Sequence, residues 1–343
     1  MINIKREGVV LEKTTNEFEN DSVLNPAVIA EGKTLHMFYR AVKVHNKSSI
    51  GYCRLMGPTE IVNRSTEPLL SPQSDYECNG MEDPRIVQIE GVYYMTYTAY
   101  DGNNAMGGLA TSEDLVNWKR RGIITPQLSF DHFRKLSAAS EDLTNKYFRF
   151  DSSQETETMS GKKLFVTDKD LVLFPRKING KFYILHRIKP DIQLIVVEDF
   201  EELVDKFWRD YFINFSSHII FKSKYPHESS YLGAGCPPIE TPQGWLMIYH
   251  SVCDTVDGYI YSASAALLEL DHPETEIARL PYPLFSPETE YELNGVVNRV
   301  CFPTGAAQFD DRLYIYYGAA DKCIACVSVN LQELITELLN YKK

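Results

Sequence analysis

The sequence lacks a long hydrophobic run. No apolar stretch approaches the roughly 20 residues that a membrane-spanning helix needs. It also lacks an apolar segment near its first residues, where Lys5, Arg6 and Glu7 introduce charges, so we do not expect a secretory signal peptide. These absences predict a cytoplasmic protein without a membrane partner. A periplasmic location would require that a leader had been removed from the chain.

Cysteine is scarce and shows no pairing pattern. The seven cysteines are odd in number and scattered, which is typical of reduced thiols in a cytoplasm. One CxxC occurs, from Cys323 to Cys326, and it alternates with apolar residues as a buried strand does. No second pair of cysteines or histidines accompanies it, so we expect neither a metal site nor an organic cofactor.

Positive charge is in deficit. Lys and Arg number 35 against 47 Asp and Glu, which leaves a net charge of −12. Nucleic acids and anionic membranes require clustered cations, so neither is expected as a partner. What the chain does have is 343 residues, of which 44% are hydrophobic and 12% aromatic. That composition excludes a disordered protein and is sufficient for a large core.

An internal repeat organises the chain. Five segments share a proline, a short apolar run, a turn and an aromatic-rich strand, at intervals of roughly 60 residues except for a longer one before the third. The residues before the repeat prolines are Asn25, Asp83, Phe174, Pro237 and Phe302. Each unit is typical of several β-strands joined by tight turns. We therefore predict an all-β fold, a five-bladed β-propeller that forms one domain over residues 1–343. A β-sandwich is the alternative, but it would use shorter and less regular spacing.

Two regions depart from the repeat. Residues 127–169 are polar and poorly periodic, and they lie between the second and third units. A loop insertion of this length is usually functional, and we expect a flap over the axial site. Residues 330–341 begin with Asn330 and Glu333 in the spacing of a capping box, followed by leucines and an isoleucine that fit one helical face. This pattern predicts a C-terminal helix that packs outside the propeller.

Polar residues recur where the inner strands of such a propeller would meet. Asn25 and Asp83 precede repeat prolines, the following strands end at Arg40, Arg187 and His250, and Asp321 comes shortly after the last strand. Sugar hydroxyls require paired donors and acceptors, and a pyranose face stacks on aromatic rings, so this set predicts a sugar site. Two simpler interpretations remain open: Arg40 and Asp321 could form a structural salt bridge, and Asp83 could cap its own turn.

Several sequence blocks then match a known family. They are Glu82–Ile86, Tyr93–Ala99, Leu173–Ile178, Gly233–Ile239, Gly244–His250 and Tyr316–Asp321. In this order they resemble glycoside hydrolase family 130, the β-mannoside phosphorylases and β-mannosidases. The resemblance implies a five-bladed propeller and an inverting mechanism. It also implies that Asp83 is the catalytic acid and that Asn25, Arg40, Tyr261 and Asp321 contact the sugar.

The chain departs from the family where phosphorylases bind phosphate. Ser49, Met106 and Tyr231 stand where family phosphorylases carry cations, and Lys169 with Asp170 replaces an Arg-Asn pair. An anionic nucleophile needs charge-assisted hydrogen bonds. The departures therefore predict weak phosphate binding, with water as the nucleophile.

Attack by water requires a general base. Glu228 is the first candidate because it lies close to the position of the missing family lysine, and Asp170 is the second. In an inverting enzyme the base stands about 6.5–9.5 Å from the acid, here Asp83. Four further residues are candidates for substrate binding: Lys169, Arg187, Tyr231 and His250.

The leading hypothesis is an inverting, exo-acting β-mannosidase whose substrates are short β-1,2-linked manno-oligosaccharides. The first alternative is a phosphorylase that binds phosphate through Lys169, Arg176, Lys177 or Arg187, and its signature would be a cationic cluster beside Asp83. The second alternative is a catalytically silent sugar-binding propeller. The oligomeric state is open, and a homo-oligomer is compatible with the sequence.

Overall fold

The computed structural model of the chain describes residues 2–138, 146–147, 161 and 163–342. Strands dominate these residues, which confirms the predicted all-β class. The α-helices are short: α1 Phe130–Ser137, α2 Asp205–Ile213, α3 Phe215–His218, α4 Glu290–Leu293 and α5 Leu331–Leu339. Within the described ranges, none of the helices combines the length and the apolar character needed to cross a membrane.

The strands form five antiparallel units that follow the chain order, here called units 1 to 5. Unit 1 contains β2 Ser22–Glu31, β3 Thr34–Lys43, β4 Lys47–Met56 and β5 Glu60–Arg64, and unit 2 contains β6 Gly80–Ile89, β7 Val92–Tyr100, β8 Ala105–Ser112 and β9 Lys119–Ile123. Unit 3 contains β10 Lys169–Leu173, β11 Phe182–Arg187, β12 Ile192–Val197 and β13 Ile219–Phe221. Unit 4 contains β14 Tyr231–Ala234, β15 Ile239–Thr241, β16 Gly244–Thr255, β17 Gly258–Leu268 and β18 Glu276–Arg279. Unit 5 contains β19 Cys301–Phe309, β20 Arg312–Ala319, β21 Cys323–Asn330 and the N-terminal strand β1 Lys5–Leu11.

The first strands of the units contact one another. β2 packs against β6 and β19, and β6 and β14 both contact β10. Units 1 and 2 are joined by a single parallel bridge between Ser48 and Gly80. β1 pairs with β21, so the two ends of the chain lie in one sheet. The first strands thus form the common centre on which the site is built, while the number of propeller blades stays a prediction.

The two sequence patterns near the C-terminus have clear structural counterparts. The CxxC segment lies in β21, where Cys323 and Cys326 are buried free thiols, as the strand interpretation predicted. Helix α5 begins after Asn330, whose side chain accepts a hydrogen bond from the Glu333 amide at 3.0 Å. Its apolar face packs into the core of units 4 and 5 through Leu334, Ile335 and Leu338.

The structure reveals a second repeat that we did not find in the sequence. A buried glutamate in a turn before the first strand accepts a hydrogen bond from a tyrosine in the next long strand of the same unit. The pairs are Glu19 with Tyr39 at 2.7 Å, Glu228 with Tyr249 at 2.6 Å and Glu292 with Tyr317 at 2.6 Å. An arginine completes each set at 2.7–3.2 Å: Arg64, Arg279 and Arg6 respectively, and Arg120 with Glu77 in unit 2. We call these sets the Glu–Tyr–Arg ties.

The predicted flap is only partly covered by the structure. Helix α1 and residues 146–147 are described, and the Tyr147 hydroxyl donates to Asp191 Oδ2 at 2.8 Å. Lys146 Nζ donates to the Ser229 carbonyl at 2.9 Å. Most of the range 139–162 lies outside the described residues, so the role of residues 127–169 as a flap stays a prediction.

Candidate active site

A bulge interrupts the first strand of units 1, 2 and 3 at the same place. The ladders shift register between Leu24 and Ala27, between Glu82 and Arg85 and between Lys169 and Val172. The bulged residues Asn25, Asp83 and Asp170 have φ values of 50°, 50° and 58°. Asn and Asp tolerate this left-handed conformation better than most residues. In unit 3 the residue equivalent to Asn25 and Asp83 is therefore Asp170. The sequence repeat had placed Phe174, the residue before the third repeat proline, at this position, and that assignment was wrong.

These strands surround a cavity of about 200 Å³. It is lined by Asn25, Arg40, Asp83, Lys169, Arg187, Lys189, Tyr231, Tyr261, Val297, Val300, Phe302 and Asp321. Of the predicted site residues, all except Asp170, Glu228 and His250 line it. The rings of Tyr231, Tyr261 and Phe302 offer apolar faces between polar groups, which suits a sugar.

Asp83 is held by polar contacts on a buried strand. Its Oδ1 accepts a hydrogen bond from Asn25 Nδ2 at 2.7 Å and lies 3.7 Å from the Arg40 guanidinium. Arg85, itself buried, donates to the Asp83 backbone carbonyl at 2.9 Å. Gly318 packs directly against Asn25, because a Cβ at Gly318 would lie 2.1 Å from Asn25 Oδ1. The carboxyl group is therefore fixed in position rather than merely capping its own turn.

Arg40 is surrounded by carboxylates. It forms an ion pair with Glu82 at 2.7 Å in addition to its contact with Asp83. Among the described residues these are its ion pairs, so the alternative interpretation of a salt bridge between Arg40 and Asp321 is not supported. Burial raises the pKa of Glu82 despite the opposing charge of Arg40. Burial also raises the pKa of Asp321 to about 6, with Arg40 opposing the shift and Asp83 adding to it. The pKa of each of these two carboxyl groups therefore lies above its ordinary value.

The cavity also carries positive charge, although the sequence predicted a loss of cations at the phosphate-binding positions of the family. Lys169 and Arg187 are cross-strand neighbours in unit 3. Lys189 Nζ lies 4.0 Å from the centroid of the Tyr231 ring, and the Arg187 guanidinium lies 5.1 Å from the same ring. Lys189 was missed in the sequence, although its position just after the end of a predicted inner strand could have indicated it.

Two other cations that the phosphorylase alternative included lie elsewhere. Arg176 pairs with Glu240 at 2.9 Å, and Lys177 pairs with Glu90 at 2.9 Å. Neither lines the cavity.

Asp170 and His250 lie behind Arg187. Asp170 Oδ2 is 3.0 Å from Arg187 Nε and 3.7 Å from His250 Nε2, and all three side chains are buried. Although burial opposes ionisation, the charge of Arg187 lowers the pKa of Asp170 to about 2. Burial lowers the pKa of His250 well below its ordinary value. Gly233 makes room for this group, since a Cβ there would lie 2.2 Å from the His250 ring. Asp170 is thus an ionised carboxylate that supports Arg187.

The structure does not bring Glu228, our first candidate for the base, into the cavity. Both of its oxygens are engaged in the tie of unit 4, where they accept from Tyr249, from Arg279 and from the amides of Lys224 and Tyr225. Its side chain is fully buried there. The position repeats that of Glu19 and Glu292, so the geometry assigns Glu228 to the framework of its unit.

Comparison with known proteins identifies the family. A family model described as beta-1,4-mannooligosaccharide phosphorylase matches residues 3–340. The chain belongs to glycoside hydrolase family 130. It is 32% identical over 348 residues to a 1,2-beta-oligomannan phosphorylase from Thermoanaerobacter sp. (strain X514), which covers 97% of this chain and 99% of that relative. A beta-1,2-mannobiose phosphorylase from the same organism is 31% identical and covers 93% of each chain.

Solved structures of family 130 share the fold. The beta-1,2-mannobiose phosphorylase from Listeria innocua, in complex with beta-1,2-mannobiose, superposes with a TM-score of 0.74 at 22% identity, covering 98% of this chain and 99% of that one. A second structure, described in a study of family 130 hydrolases that target beta-1,2 mannosidic linkages in Candida mannan, has a TM-score of 0.70 at 22% identity and covers 96% and 94% of the two chains. At these identities the likeness concerns the fold alone.

The cavity of this family 130 member combines two chemical functions. Asp83 and Asp321 provide carboxyl groups on its wall, and Lys169, Arg187 and Lys189 provide positive charge. In the part of the chain that the structure describes, His, Cys, Asp and Glu do not gather into a group of three that could hold a metal ion. The arrangement can therefore transfer a proton and bind an anion next to a sugar.

Proposed function

We propose that this protein is a β-mannoside phosphorylase that cleaves β-1,2-linked manno-oligosaccharides with inorganic phosphate. The observation that carries the proposal is the placement of Lys169, Arg187 and Lys189 on the wall of the cavity that contains Asp83. A charge-assisted hydrogen bond to phosphate contributes about 1.5–3 kcal/mol. Three cations can therefore supply the affinity that the substitutions at Ser49, Met106 and Tyr231 remove. Because the chain as a whole carries a net charge of −12, a local cluster of three cations is typical of a binding site for a specific anion.

The reaction would be a single inverting displacement. Asp83 donates its proton to the oxygen of the leaving sugar, directly or through a sugar hydroxyl, as the C–O glycosidic bond breaks. A phosphate oxygen attacks the anomeric carbon from the opposite face and forms the new C–O bond. The products are α-mannose 1-phosphate and a manno-oligosaccharide shortened by one residue. Asn25, Arg40, Tyr261 and Asp321 would bind the terminal mannose.

Asp170 would act indirectly in this reaction. Its Oδ2 lies 3.0 Å from Arg187 Nε. This contact would hold the guanidinium in one orientation and neutralise part of its charge. The remaining positive charge of Lys169 and Lys189 faces the anion. His250, adjacent to both Asp170 and Arg187, would complete this support.

The fold and the linkage are part of the same proposal. Five antiparallel units with their first strands in contact, and the pairing of β1 with β21, support a five-bladed propeller with the cavity near its axis. The match to a 1,2-beta-oligomannan phosphorylase and a beta-1,2-mannobiose phosphorylase along nearly their whole lengths supports the β-1,2 linkage.

Hydrolysis is the second candidate. The observation in its favour is Asp170, an ionised carboxylate that already pairs with one of the cations. If a water molecule instead of phosphate attacked the anomeric carbon, Asp170 would be the candidate for the general base. The likeness to the structure from the study of family 130 hydrolases is compatible with this candidate, since it concerns the fold alone.

One assay separates the two candidates. The purified protein is incubated with β-1,2-mannobiose, with and without inorganic phosphate, and the products are quantified by chromatography and phosphorus NMR. Phosphorolysis predicts equal amounts of mannose and α-mannose 1-phosphate, formed only when phosphate is present. Release of two mannoses per substrate at the same rate without phosphate would overturn the proposal in favour of hydrolysis.

A further inference from the structure

Unit 3 differs from the other units in its buried tie. In units 1, 4 and 5 a tyrosine hydroxyl donates to a buried glutamate. In two of these units that tyrosine immediately precedes a polar residue singled out in the sequence, since Tyr39 precedes Arg40 in β3 and Tyr249 precedes His250 in β16. The residue at the same place in unit 3 is His186, which immediately precedes Arg187.

His186 is held at both ring nitrogens. Its Nδ1 lies 2.9 Å from each carboxylate oxygen of Asp168, and its Nε2 lies 2.7 Å from the hydroxyl of Tyr211 in α2. The Tyr211 hydroxyl also donates to the Leu194 carbonyl at 3.0 Å, which fixes it in place. The side chains of His186 and Asp168 are inaccessible to solvent. Two partners in the plane of the ring leave it a single orientation.

The position of this set relative to the cavity is the unusual feature. In the other units the acidic residue lies in a turn ahead of the first strand. In unit 3 the acidic residue is Asp168, which immediately precedes Lys169, while His186 immediately precedes Arg187. Lys169 and Arg187 are paired in register across β10 and β11. The Asp168–His186 contact therefore lies one residue along the chain from each of the two cations and links the start of β10 to β11.

We propose that Asp168, His186 and Tyr211 are positioning residues for the anion site, which fix the distance between Lys169 and Arg187. The inference rests on the proposed phosphorylase function. A phosphate that is bound by several cations depends on their spacing, since misplacement of charged donors by a fraction of an ångström weakens each bond. In the proposed function the neutral sugar is bound by Asn25, Arg40, Tyr261 and Asp321 of the other units, so its affinity should be less sensitive to this contact.

The test compares isosteric variants in unit 3 with a matched variant in unit 5. Asp168→Asn should raise the KM for phosphate about tenfold, because it weakens a charge-assisted hydrogen bond behind the cations. The KM for β-1,2-mannobiose should stay within about twofold of wild type. Tyr211→Phe, which removes only the far hydroxyl, should raise the KM for phosphate in the same direction by a smaller factor. Tyr317→Phe removes a buried hydroxyl from the tie of unit 5, where Tyr317 holds the place of His186, and it should leave the ratio of the two KM values unchanged.

The outcomes are distinguishable. If wild type releases no mannose 1-phosphate, the proposed function fails and this inference fails with it. If wild type does so but Asp168→Asn raises both KM values equally, or neither, only the positioning role is wrong. Should Asp168→Asn not fold, Tyr211→Phe decides alone, and an unchanged KM for phosphate in that variant overturns the inference.

Discussion

At the scale of single residues, Asp83 combines a strained backbone with a fixed carboxyl group. Its φ of 50° lies in the left-handed region, which asparagine also tolerates. Asp83→Asn should therefore keep the fold but remove the transferable proton. We expect turnover to fall by a factor of about 10²–10⁴ with little change in Tm, measured by initial rates and thermal unfolding. Retention of more than a small fraction of the activity would exclude Asp83 as the proton donor.

Asp321 gives a prediction about pH. Burial raises its pKa to about 6, above the value of about 3.9 expected in the unfolded chain. The folded state therefore binds this proton more tightly, so the resulting stability is fully present below about pH 4 and is lost as the pH rises through about 6. Asp321→Asn does not titrate. Its Tm relative to wild type should increase as the pH is raised from about 4 to about 7, and a constant difference over that range would contradict the assignment.

At the scale of elements, each Glu–Tyr–Arg tie connects the turn before the first strand of a unit to a long strand of the same unit. Glu228→Gln would remove the negative charge that contacts Arg279, Tyr249 and two backbone amides, and it should destabilise the protein by on the order of 3 kcal/mol. Arg279 would keep its second ion pair, with Glu276. Activity per folded molecule should be unchanged, because Glu228 does not line the cavity. Denaturant unfolding and kinetics on the same sample measure both effects. Glu292→Gln is the matched control in unit 5, and a selective loss of turnover in Glu228→Gln alone would restore it as a catalytic candidate.

The sequence predicted the strand content and several residues of the cavity, but it did not predict the Glu–Tyr–Arg ties. The repeat and the family blocks correctly indicated an all-β chain and brought Asn25, Arg40, Asp83 and Asp321 to one place. The ties were missed because they join residues far apart in sequence, although an acidic residue, an aromatic residue and a glutamate recur at Glu17–Glu19, Asp75–Glu77 and Glu290–Glu292.

The positive charge of the cavity was underestimated for a similar reason. The family pattern places cations at particular positions, and three of these are uncharged here. Comparison of each of these positions with the family pattern therefore indicated a loss of positive charge. The folded chain supplies cations from neighbouring positions instead, through Lys169, Arg187 and Lys189. The sequence offered Lys169 and Arg187 as candidates, but the cross-strand register and the course of the chain after β11 are needed to place all three side chains at one cavity.

At the scale of the whole molecule, the pairing of β1 with β21 joins the two ends of the chain. Deleting residues 1–11 would expose the edge of β21 and remove Arg6 from its contact with the buried Glu292. We expect the truncated protein to lose several degrees of Tm and to aggregate, as measured by thermal unfolding and light scattering. Addition of a peptide with the deleted sequence should partly reverse the effect. Full stability of the truncated protein would mean that β1 does not stabilise the sheet of unit 5.

The anion site is tested most directly by a crystal structure of Asp83→Asn soaked with inorganic phosphate and β-1,2-mannobiose. We predict a phosphate ion within hydrogen-bonding distance of Lys169, Arg187 and Lys189, on the face of the sugar opposite residue 83. A water molecule supported by Asp170 at that place, with no phosphate bound at saturating concentration, would contradict the phosphorylase account.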